Sequence, residues 1–380
     1  MPRFAPSFEL LPPPSPFLQA SVIIPARDEE HSICQTLDSL AHSCDGAGRR
    51  LDSRAWEVLL LCNNCRDETA VIARTWAARR PHLAIHVVEG FFARPDANIG
   101  TVRRALMDAA CLRLESLPHD SQTPRFIAST DADTRVERSW LWANECEIRA
   151  GADAVGGRIL VETDGNIKSR KTYLCDTAYR LLAAQLESKL DPQPSDPWPR
   201  HFQFFGASLC LTPRAYRAVG GVPRVPYLED MALERELVRA DVPIRRSPRV
   251  RVRTSARESG RVACGLSTQL REWNDLEQQA KVWLVPSGEE IAWKTRLRRR
   301  LHAVFGAKAS DERELENLAR ALNLCPTELS DKTHAATHFG ALWDDVWNAA
   351  WSNPNLRAQW SPVPVGVALS QMRSLLAQTH

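Results

Sequence analysis

The chain of 380 residues has no marked excess of charge of either sign, since 49 Lys and Arg are nearly balanced by 46 Asp and Glu. A dedicated nucleic-acid-binding protein would carry a large basic excess, so we expect no nucleic-acid partner. The sequence also has no apolar run approaching the roughly 18 residues of a membrane-spanning helix. We therefore expect no transmembrane segment, and only peripheral contact with a membrane is compatible with this composition.

The N-terminus lacks the continuous apolar stretch of a signal peptide, because prolines interrupt it repeatedly before Phe17. We predict that residues 1–17 form a disordered or draped arm. Cysteine is sparse as well, since ten cysteines are scattered through the whole chain. That number is too small for a disulfide scaffold and suits a reducing compartment, which favours a cytoplasmic protein.

Between residues 18 and 130 the sequence alternates short apolar runs with amphipathic stretches. Strands are predicted at 20–24, 56–61, 83–88 and 125–130. The stretches between them have helical spacing of apolar residues, as in Ile33, Leu37 and Leu40. Strands that alternate with helices form parallel sheets, so we predict an α/β fold with a mostly parallel central sheet flanked by helices.

The pattern changes after residue 130. Further strands are predicted at 153–160, 206–212 and 248–254, without a regular partner helix. In the last of these, strict alternation buries one face and exposes Arg249, Arg251 and Arg253 on the other.

The remaining segments complete the predicted organisation. Prolines predict a loop at 187–200, and from about residue 268 the chain is predicted to be helical and rich in tryptophan. We favour packing over a dimer surface as the role of these tryptophans. We therefore expect the arm 1–17, one domain over 18–270 and a helical C-terminal region over 271–380.

Two carboxylates, Asp131 and Asp133, follow the fourth predicted strand directly. Side chains at the carboxyl ends of strands in an open α/β sheet project into the crevice where ligands bind. Carboxylate oxygens suit Mg²⁺ or Mn²⁺, and such a metal usually shares its coordination shell with substrate phosphates. The alternative is a polar loop whose aspartate caps the next helix, and the position after the fourth strand favours the metal site.

Polar residues also follow the first and second predicted strands. The segment 24–30, Ile-Pro-Ala-Arg-Asp-Glu-Glu, either contacts a base and a ribose or is a helix N-terminus whose acids complement the helix dipole. Cys62 and Cys65 have Cys-x-x-Cys spacing after the second strand, but no second pair with zinc-ribbon spacing appears. We therefore predict that they are not zinc ligands.

Two later segments carry further candidate groups. Glu229 and Asp230 precede an amphipathic helix, where paired acids act either as caps or, facing the crevice, as a general base. Arg257 and Arg261 lie among hydroxyl residues, so they either bind phosphate bidentately or belong to a solvated turn.

In this order the motifs resemble those of bacterial family 2 glycosyltransferases, which have the A-type, nucleotide-sugar-binding fold. The segments that carry the resemblance are 24–30, 62–69, 98–104, 131–133 and 229–230, with further similarity at 205–211, 218–221 and 254–261. The resemblance covers residues 18–270, and five ordered motifs are much more specific than any single one.

The resemblance implies roles for individual residues. The implied nucleotide-sugar contacts are Pro25, Ala26, Arg27, Glu29, Asn63, Asn98, Arg103, Asp131, Ala132, Asp133, Arg257 and Arg261. Asp133, together with Asp131, is expected to hold Mn²⁺ or Mg²⁺ on the donor diphosphate. Asp230 is the expected general base, with Glu229 as its neighbour or substitute.

Two departures from the family pattern leave details open. Asn63 stands where many members have an aspartate that reads uracil, and this departure leaves the identity of the base open. A UDP-sugar is favoured as the donor, and a GDP-sugar is the alternative. Many members also supply a downstream histidine to the metal, but residues 203–301 contain none. The third ligand is therefore expected to be water or to be absent.

The resemblance thus implies a metal-dependent glycosyltransferase that moves a sugar from a nucleoside-diphosphate sugar to an acceptor hydroxyl, with inversion. One alternative is a sugar nucleotidyltransferase, which would normally have a Gly-rich phosphate loop where this chain has residues 26–30. Another is a non-catalytic nucleotide-sugar-binding partner protein, against which the presence of Asp131, Asp133 and Asp230 argues. The sequence identifies neither the acceptor nor an oligomeric state.

Overall fold

The computed structural model describes residues 6–118, 120, 122–162, 170–255, 266–279, 281–307 and 311–378. The strands are β1 Ala20–Ala26, β2 Trp56–Asn63, β3 Ala84–Gly90, β4 Phe126–Ser129, β5 Thr134–Val136, β6 Ala154–Glu162, β7 Leu209–Leu211, β8 Ile244–Ser255, β9 Leu284–Val285 and β10 Val363–Pro364. The helices are α1 Ile33–Ala41, α2 Thr69–Ala78, α3 Ile99–Glu115, α4 Trp140–Arg149, α5 Arg170–Leu190, α6 Pro213–Ala218, α7 Glu229–Arg239, α8 Leu266–Gln278, α9 Gly288–Phe305, α10 Glu312–Leu322, α11 Pro326–Ala335, α12 Phe339–Ser352, α13 Pro354–Arg357 and α14 Val365–Gln378.

The described residues fall into two compact units. The first lies within 1–167, 203–235 and 243–269, and the second within 168–202, 236–242 and 270–380. The first unit contains an eight-stranded sheet of order β3-β2-β1-β4-β7-β6-β8-β5. Four of the seven strand pairings in this sheet are parallel, so the predicted α/β class with a mostly parallel sheet is confirmed.

The centre of the first unit's core is built from the apolar runs that follow one another in the sequence. Every residue of β1, β2 and β4 is buried, as expected of strands with other structure on both faces. Helix α1 turns Ile33, Leu37 and Leu40 toward this core, which confirms the predicted helical spacing. The sheet and its helices thereby fix the positions of the loops that leave the strand ends.

Strand β8 alternates between buried and exposed residues, as its sequence predicts. Val250 and Val252 are buried, whereas Arg249, Arg251 and Arg253 are exposed. The strand is longer than predicted and begins at Ile244.

The second unit is largely helical. Its largest described core joins α9, α10, α11 and α12, with Leu301, Leu318 and Val346 fully buried. Trp343 is buried in this core and Trp347 packs against it, so these side chains serve packing as predicted. None of the helices in the described residues is long and apolar enough to cross a membrane.

Several predicted boundaries differ from the observed ones, and two of these differences have a local physical reason. Strand β1 does not end at Ile24 but continues through Pro25 to Ala26. Its pairing with β4 ends at Ile23 while its pairing with β2 continues, and a residue without an N–H is tolerated where one side of a strand has no partner. The predicted loop at 187–200 starts only at residue 191, because α5 continues to Leu190, two residues before the next proline.

Candidate functional site

The order of the strands places a ligand crevice beside β1 and β4. The chain runs from β1 outward to β3 on one side of the sheet and then returns to add β4 on the other side of β1. Open α/β sheets bind ligands outside the carboxyl ends of the strands at such a reversal of order. A ligand-binding site is therefore expected in the loops after β1, β2 and β4.

Asp131 and Asp133 lie in the short loop that leaves β4. The loop is fixed from two sides, because Thr130 N donates to Ile23 O at 3.2 Å and Thr36 Oγ1 donates to Ala132 O at 2.9 Å. Ser255 Oγ, at the end of β8, donates to Asp133 Oδ2 at 3.1 Å. Three elements distant in sequence thus hold this pair of carboxylates at the crevice.

The guanidinium of Arg103, on α3, connects this loop to the rest of the site. Its Nη2 donates to Asp131 Oδ1 at 3.1 Å, and its Nε donates to Glu229 Oε1 at 2.8 Å. Its Nη1 donates to Ser129 Oγ and, at 3.1 Å, to Gly206 O. The side chain is only 3% exposed, so Arg103 is a buried residue that connects the β4 loop to α7, and its expected contact with a nucleotide sugar stays a prediction.

Glu229 and Asp230 begin α7 and have different surroundings. Glu229 is buried against Arg103. Asp230 is half-buried, and its Oδ2 accepts a 2.8 Å hydrogen bond from Gly206 N while its Oδ1 accepts one from Met231 N. Since each carboxylate oxygen has two lone pairs, Asp230 retains capacity to accept a further hydrogen bond or a proton.

Gly206 lies between Arg103 and Asp230, and only glycine fits there. A Cβ at this position would lie 2.3 Å from Arg103 Nη2. Its carbonyl accepts from Arg103 and its N–H donates to Asp230, so one peptide segment links the buried cation to the second carboxylate.

Two acids at the crevice, Asp131 and Asp230, have raised pKa values. Burial raises the pKa of Asp131 to about 6, Arg103 opposes this effect, and Asp133 adds to it as a neighbouring negative charge. Burial also raises the pKa of Asp230, and the charge of Glu229 raises it further. Both carboxyls are therefore poised to bind a cation or a proton.

The loops after β1 and β2 are joined by hydrogen bonds. Glu29 N donates to Thr69 Oγ1 at 2.7 Å, and the Glu29 carboxylate accepts from Ser32 Oγ at 2.6 Å. Asp67 lies just before α2. It accepts from the first helical N–H, of Thr69, and from Glu30 N, although the N-cap position itself is Glu68. These acids support the fold of the crevice loops.

The other predicted contacts after β1 and β2 lie at the same edge of the sheet. Pro25 and Ala26 are buried at the end of β1, and Arg27 is exposed just beyond it. Asn63 is buried at the end of β2, and its amide makes no hydrogen bond within the described part of the chain. Asn98 caps α3 by accepting from Thr101 N at 2.9 Å.

Cys62 and Cys65 are both free thiols. A hydrogen bond with Cys65 and burial both raise the pKa of Cys62. Among the residues described, the one grouping of three potential metal-ligating side chains joins Cys65 with Asp28 and Asp67 and does not include Cys62. The prediction that the two cysteines are not zinc ligands stays a prediction.

The donor set at the β4 loop fits a hard divalent cation. It consists of the Asp131 and Asp133 carboxylates, and no third histidine, cysteine or carboxylate of the described residues groups with them. Mg²⁺ and Mn²⁺ are commonly held by one or two carboxylates, with water and substrate phosphates completing the shell. Two neighbouring carboxylates, Asp133 and Glu229, also contribute to the raised pKa of Asp131, and a bound cation would offset their negative charge.

The sequence analysis assigned no contact to three contributors to this site. Ser129 and Ser255 each contact one charged residue, and Gly206 contacts two, but no local spacing connects them to these partners. Two predicted contacts, Arg257 and Arg261, lie outside the described residues.

No family model matches the chain, and no curated protein matches it. Among solved structures it is similar to the mannosyltransferase PcManGT from Pyrobaculum calidifontis in complex with GDP-Man and Mn²⁺, with 16% identity, coverage of 98% of this chain and 91% of that one, and a TM-score of 0.45. It is also similar to S. aureus TarS 1–349 in complex with UDP-GlcNAc, with 12% identity, coverage of 95% and 89%, and a TM-score of 0.46.

A third similar structure is glucosyl-3-phosphoglycerate synthase from Mycobacterium tuberculosis with Mn²⁺, UDP-glucose and phosphoglyceric acid. Here the identity is 18%, the coverage is 70% of this chain and 84% of that one, and the TM-score is 0.38. These identities and scores assign neither a donor nor an acceptor to the present chain.

Proposed function

We propose that the protein is a metal-dependent, inverting glycosyltransferase of the A-type fold that uses a nucleoside-diphosphate sugar. The observation that carries the proposal is the arrangement at the end of β4. Asp131 and Asp133 lie where the strand order reverses, and Arg103 and Gly206 connect them to Asp230 on α7. A pair of potential metal ligands and a separate proton acceptor are the two components that this reaction needs.

In this proposal Asp230 is the general base. It accepts the proton of the acceptor hydroxyl while the hydroxyl oxygen forms a bond to the anomeric carbon. The bond from that carbon to the diphosphate oxygen breaks, and the nucleoside diphosphate leaves with the electron pair. The raised pKa of Asp230 favours this role, because a base is most efficient when its pKa approaches the working pH.

Asp131 and Asp133 are the residues that would hold the cation. When bound, Mn²⁺ or Mg²⁺ supplies positive charge to the diphosphate leaving group. Arg103 keeps Asp131 oriented by its 3.1 Å hydrogen bond, and Ser255 does the same for Asp133 at 3.1 Å.

The nucleoside is placed at the ends of β1 and β2. Pro25 and Ala26 provide a buried wall, and the Asn63 amide, which the described residues leave without a hydrogen bond, is available to a base. An amide can both donate and accept, so it suits either uracil or guanine. We favour a UDP-sugar as the donor and keep a GDP-sugar as the alternative.

This function is assigned to the segment 18–270, with the helical region 271–380 as a C-terminal extension. A reducing, cytoplasmic setting is part of the same proposal, supported by the nine cysteines that are free in the described residues.

Release of nucleoside diphosphate from UDP-, GDP- and dTDP-sugars with Mn²⁺ tests the proposal against its alternatives. A glycosyltransferase releases nucleoside diphosphate from a preferred donor, slowly to water and faster with an acceptor. A sugar nucleotidyltransferase instead consumes a nucleoside triphosphate and a sugar phosphate with release of pyrophosphate. A non-catalytic partner binds a donor and releases nothing.

A further inference from the structure

Five arginines occupy one face at the edge of the sheet, and we call this set the arginine face: Arg135, Arg158, Arg249, Arg251 and Arg253. Arg135 of β5 lies directly opposite Arg253 of β8, and Arg158 of β6 is in register with Arg251. Arg249 follows on the same side of β8, because the intervening Val250 and Val252 are buried. All except Arg158 are exposed.

This arrangement opposes the stability of the sheet. Like charges directly opposite each other on neighbouring strands are destabilising. Two of the five have glutamate partners, since Arg249 pairs with Glu147 at 2.9 Å and Arg253 with Glu137 at 3.0 Å. These guanidiniums nevertheless remain 60% and 54% exposed.

Two further members of the face have no carboxylate partner. Arg251 donates to the carbonyl of Pro248, and Arg158 has no hydrogen bond or ion pair with any residue that the structure describes. Among the described residues, no carboxylate therefore balances the charge of Arg158 or Arg251.

The arginine face begins at the candidate active site. Asp133 lies two residues before Arg135, and Ser255, which contacts Asp133 at 3.1 Å, lies two residues after Arg253. Residues two apart on a strand share a face and are separated by roughly 6–7 Å. Ser255 and Arg253 of β8 therefore share a face, so the row of cations starts one step from the residue that contacts Asp133 and continues along β8 to Arg249.

We propose that the arginine face binds an acceptor that carries phosphate groups and brings its hydroxyl to the site around Asp133. This inference rests on the proposed glycosyltransferase function. Guanidinium groups bind phosphate through paired N–H donors. A phosphate offers three acceptor oxygens and up to two negative charges, so one group can contact both Arg135 and Arg253 across the strands. A carboxylate, with two oxygens and one charge, is less suited to bridge such a pair.

Binding of fluorescein-labelled linear polyphosphate, measured by anisotropy on the full chain, tests the inference. The test variant combines Arg135→Gln, Arg251→Gln and Arg253→Gln. The matched control combines Arg49→Gln, Arg54→Gln and Arg217→Gln, which remove the same charge from exposed positions of the same unit.

We expect the test variant to bind at least tenfold more weakly, while the control stays within twofold of the wild type. Loss of three phosphate contacts should also reduce the slope of log K against log salt by about 2. Equal weakening in both variants, or no weakening in the test variant, would overturn the proposal. Poly-L-glutamate of equal charge should bind at least tenfold more weakly than polyphosphate, and equal binding would remove the preference for phosphate.

Donor binding distinguishes the arginine face from the donor site. The Kd for a nucleotide sugar with Mn²⁺ should be the same in the test variant and the wild type. A tenfold weaker Kd would assign these arginines to the donor diphosphate and contradict an acceptor role. If the wild type binds no nucleotide sugar, the proposed function fails and the acceptor role fails with it, whatever the polyphosphate result.

The melting temperature distinguishes a binding role of these arginines from a structural one, because the two roles predict changes of opposite sign. Because the arginines repel one another across the strands, the test variant should melt at the same temperature as the wild type or higher. A clearly lower melting temperature, with the control unchanged, would show that the arginines serve the sheet and would count against the proposal.

Discussion

Glu229 accepts a 2.8 Å hydrogen bond from Arg103 Nε, and the two side chains are 5% and 3% exposed. Adjacent acids at the start of α7 are therefore divided between two tasks. Glu229 balances a buried cation, whereas Asp230 is held by backbone N–H groups and keeps capacity to accept a proton. This division leads to opposite expectations for the two neutral variants.

Asp230→Asn should abolish most transfer while leaving the fold intact. The amide oxygen can still accept from Gly206 N, whereas the amide NH₂ group cannot accept from Met231 N. Stability should therefore fall by no more than about 1 kcal/mol, and donor affinity should remain near wild type. Loss of a general base typically costs about 10²–10⁴-fold in rate. Turnover, donor Kd and melting temperature should be measured on the same preparation. Wild-type turnover in this variant would remove Asp230 from the proposed mechanism.

Glu229→Gln should act mainly on stability. Removing one partner of a buried ion pair costs about 3–5 kcal/mol when the other charge is left uncompensated. Since Asp131 still contacts Arg103 at 3.1 Å, we expect a loss toward the lower end of that range. The matched control is Glu115→Gln, whose partner Arg217 is 48% exposed, and exposed pairs contribute at most about 1 kcal/mol. Urea unfolding at pH 7 compares the two. Equal, small losses would contradict the buried role of Glu229.

Gly206→Ala should disturb the connection between Arg103 and Asp230. Its Cβ would lie 2.3 Å from Arg103 Nη2, and Arg103 cannot move freely because its other nitrogens are already hydrogen-bonded. Overpacking of this kind typically costs about 1–3 kcal/mol. Gly306→Ala is a suitable control, because the closest atom to its Cβ is 3.5 Å away. A Gly206→Ala variant with wild-type stability and turnover would refute this account of the site.

The relation between Glu229 and Arg103 also shows what the sequence can predict. The apolar runs of β1, β2 and β4 predict a parallel sheet. The position of Asp131 and Asp133 directly after the fourth strand predicts that they lie at the crevice. These conclusions need only local periodicity. The hydrogen bond between Arg103 and Glu229 joins residues 126 positions apart, so no spacing in the sequence reports it.

The same limit applies to Arg103. The resemblance implies that this arginine contacts the nucleotide sugar, and nothing in its local sequence shows that its side chain is buried. Only the return of the chain through Gly206 and α7 encloses its guanidinium. The end of helix α5 at Leu190 was likewise not predicted, because the prolines that follow it indicated a loop from residue 187.

The buried ion pair between Glu57 and Arg113 predicts how the free energy of unfolding depends on pH. Burial alone would raise the pKa of Glu57, but hydrogen bonds from Arg113 and His86 hold it at about 2. A carboxyl with a depressed pKa stabilises the fold above its unfolded pKa, and this contribution disappears as the pH falls toward 2.

Glu57→Gln should therefore lose about 3 kcal/mol at pH 7, and its difference from the wild type should shrink between about pH 4.5 and pH 2. Glu145→Gln, which removes an exposed pair with Arg149, provides the control. Denaturant unfolding across this pH range measures the difference. A constant difference between the Glu57 variant and the wild type at all pH values would contradict the linkage.

The most direct test of the central claim is the melting temperature of the wild type and of Asp133→Asn with UDP-, GDP- and dTDP-sugars, each with and without Mn²⁺. A ligand that binds the native state stabilises it by about 2.7 kcal/mol at a hundredfold excess over its Kd. We predict that at least one nucleotide sugar raises the melting temperature of the wild type only when Mn²⁺ is present, and that Asp133→Asn abolishes this rise. No rise with any donor, or an equal rise in Asp133→Asn, would contradict a metal-dependent nucleotide-sugar site at the end of β4.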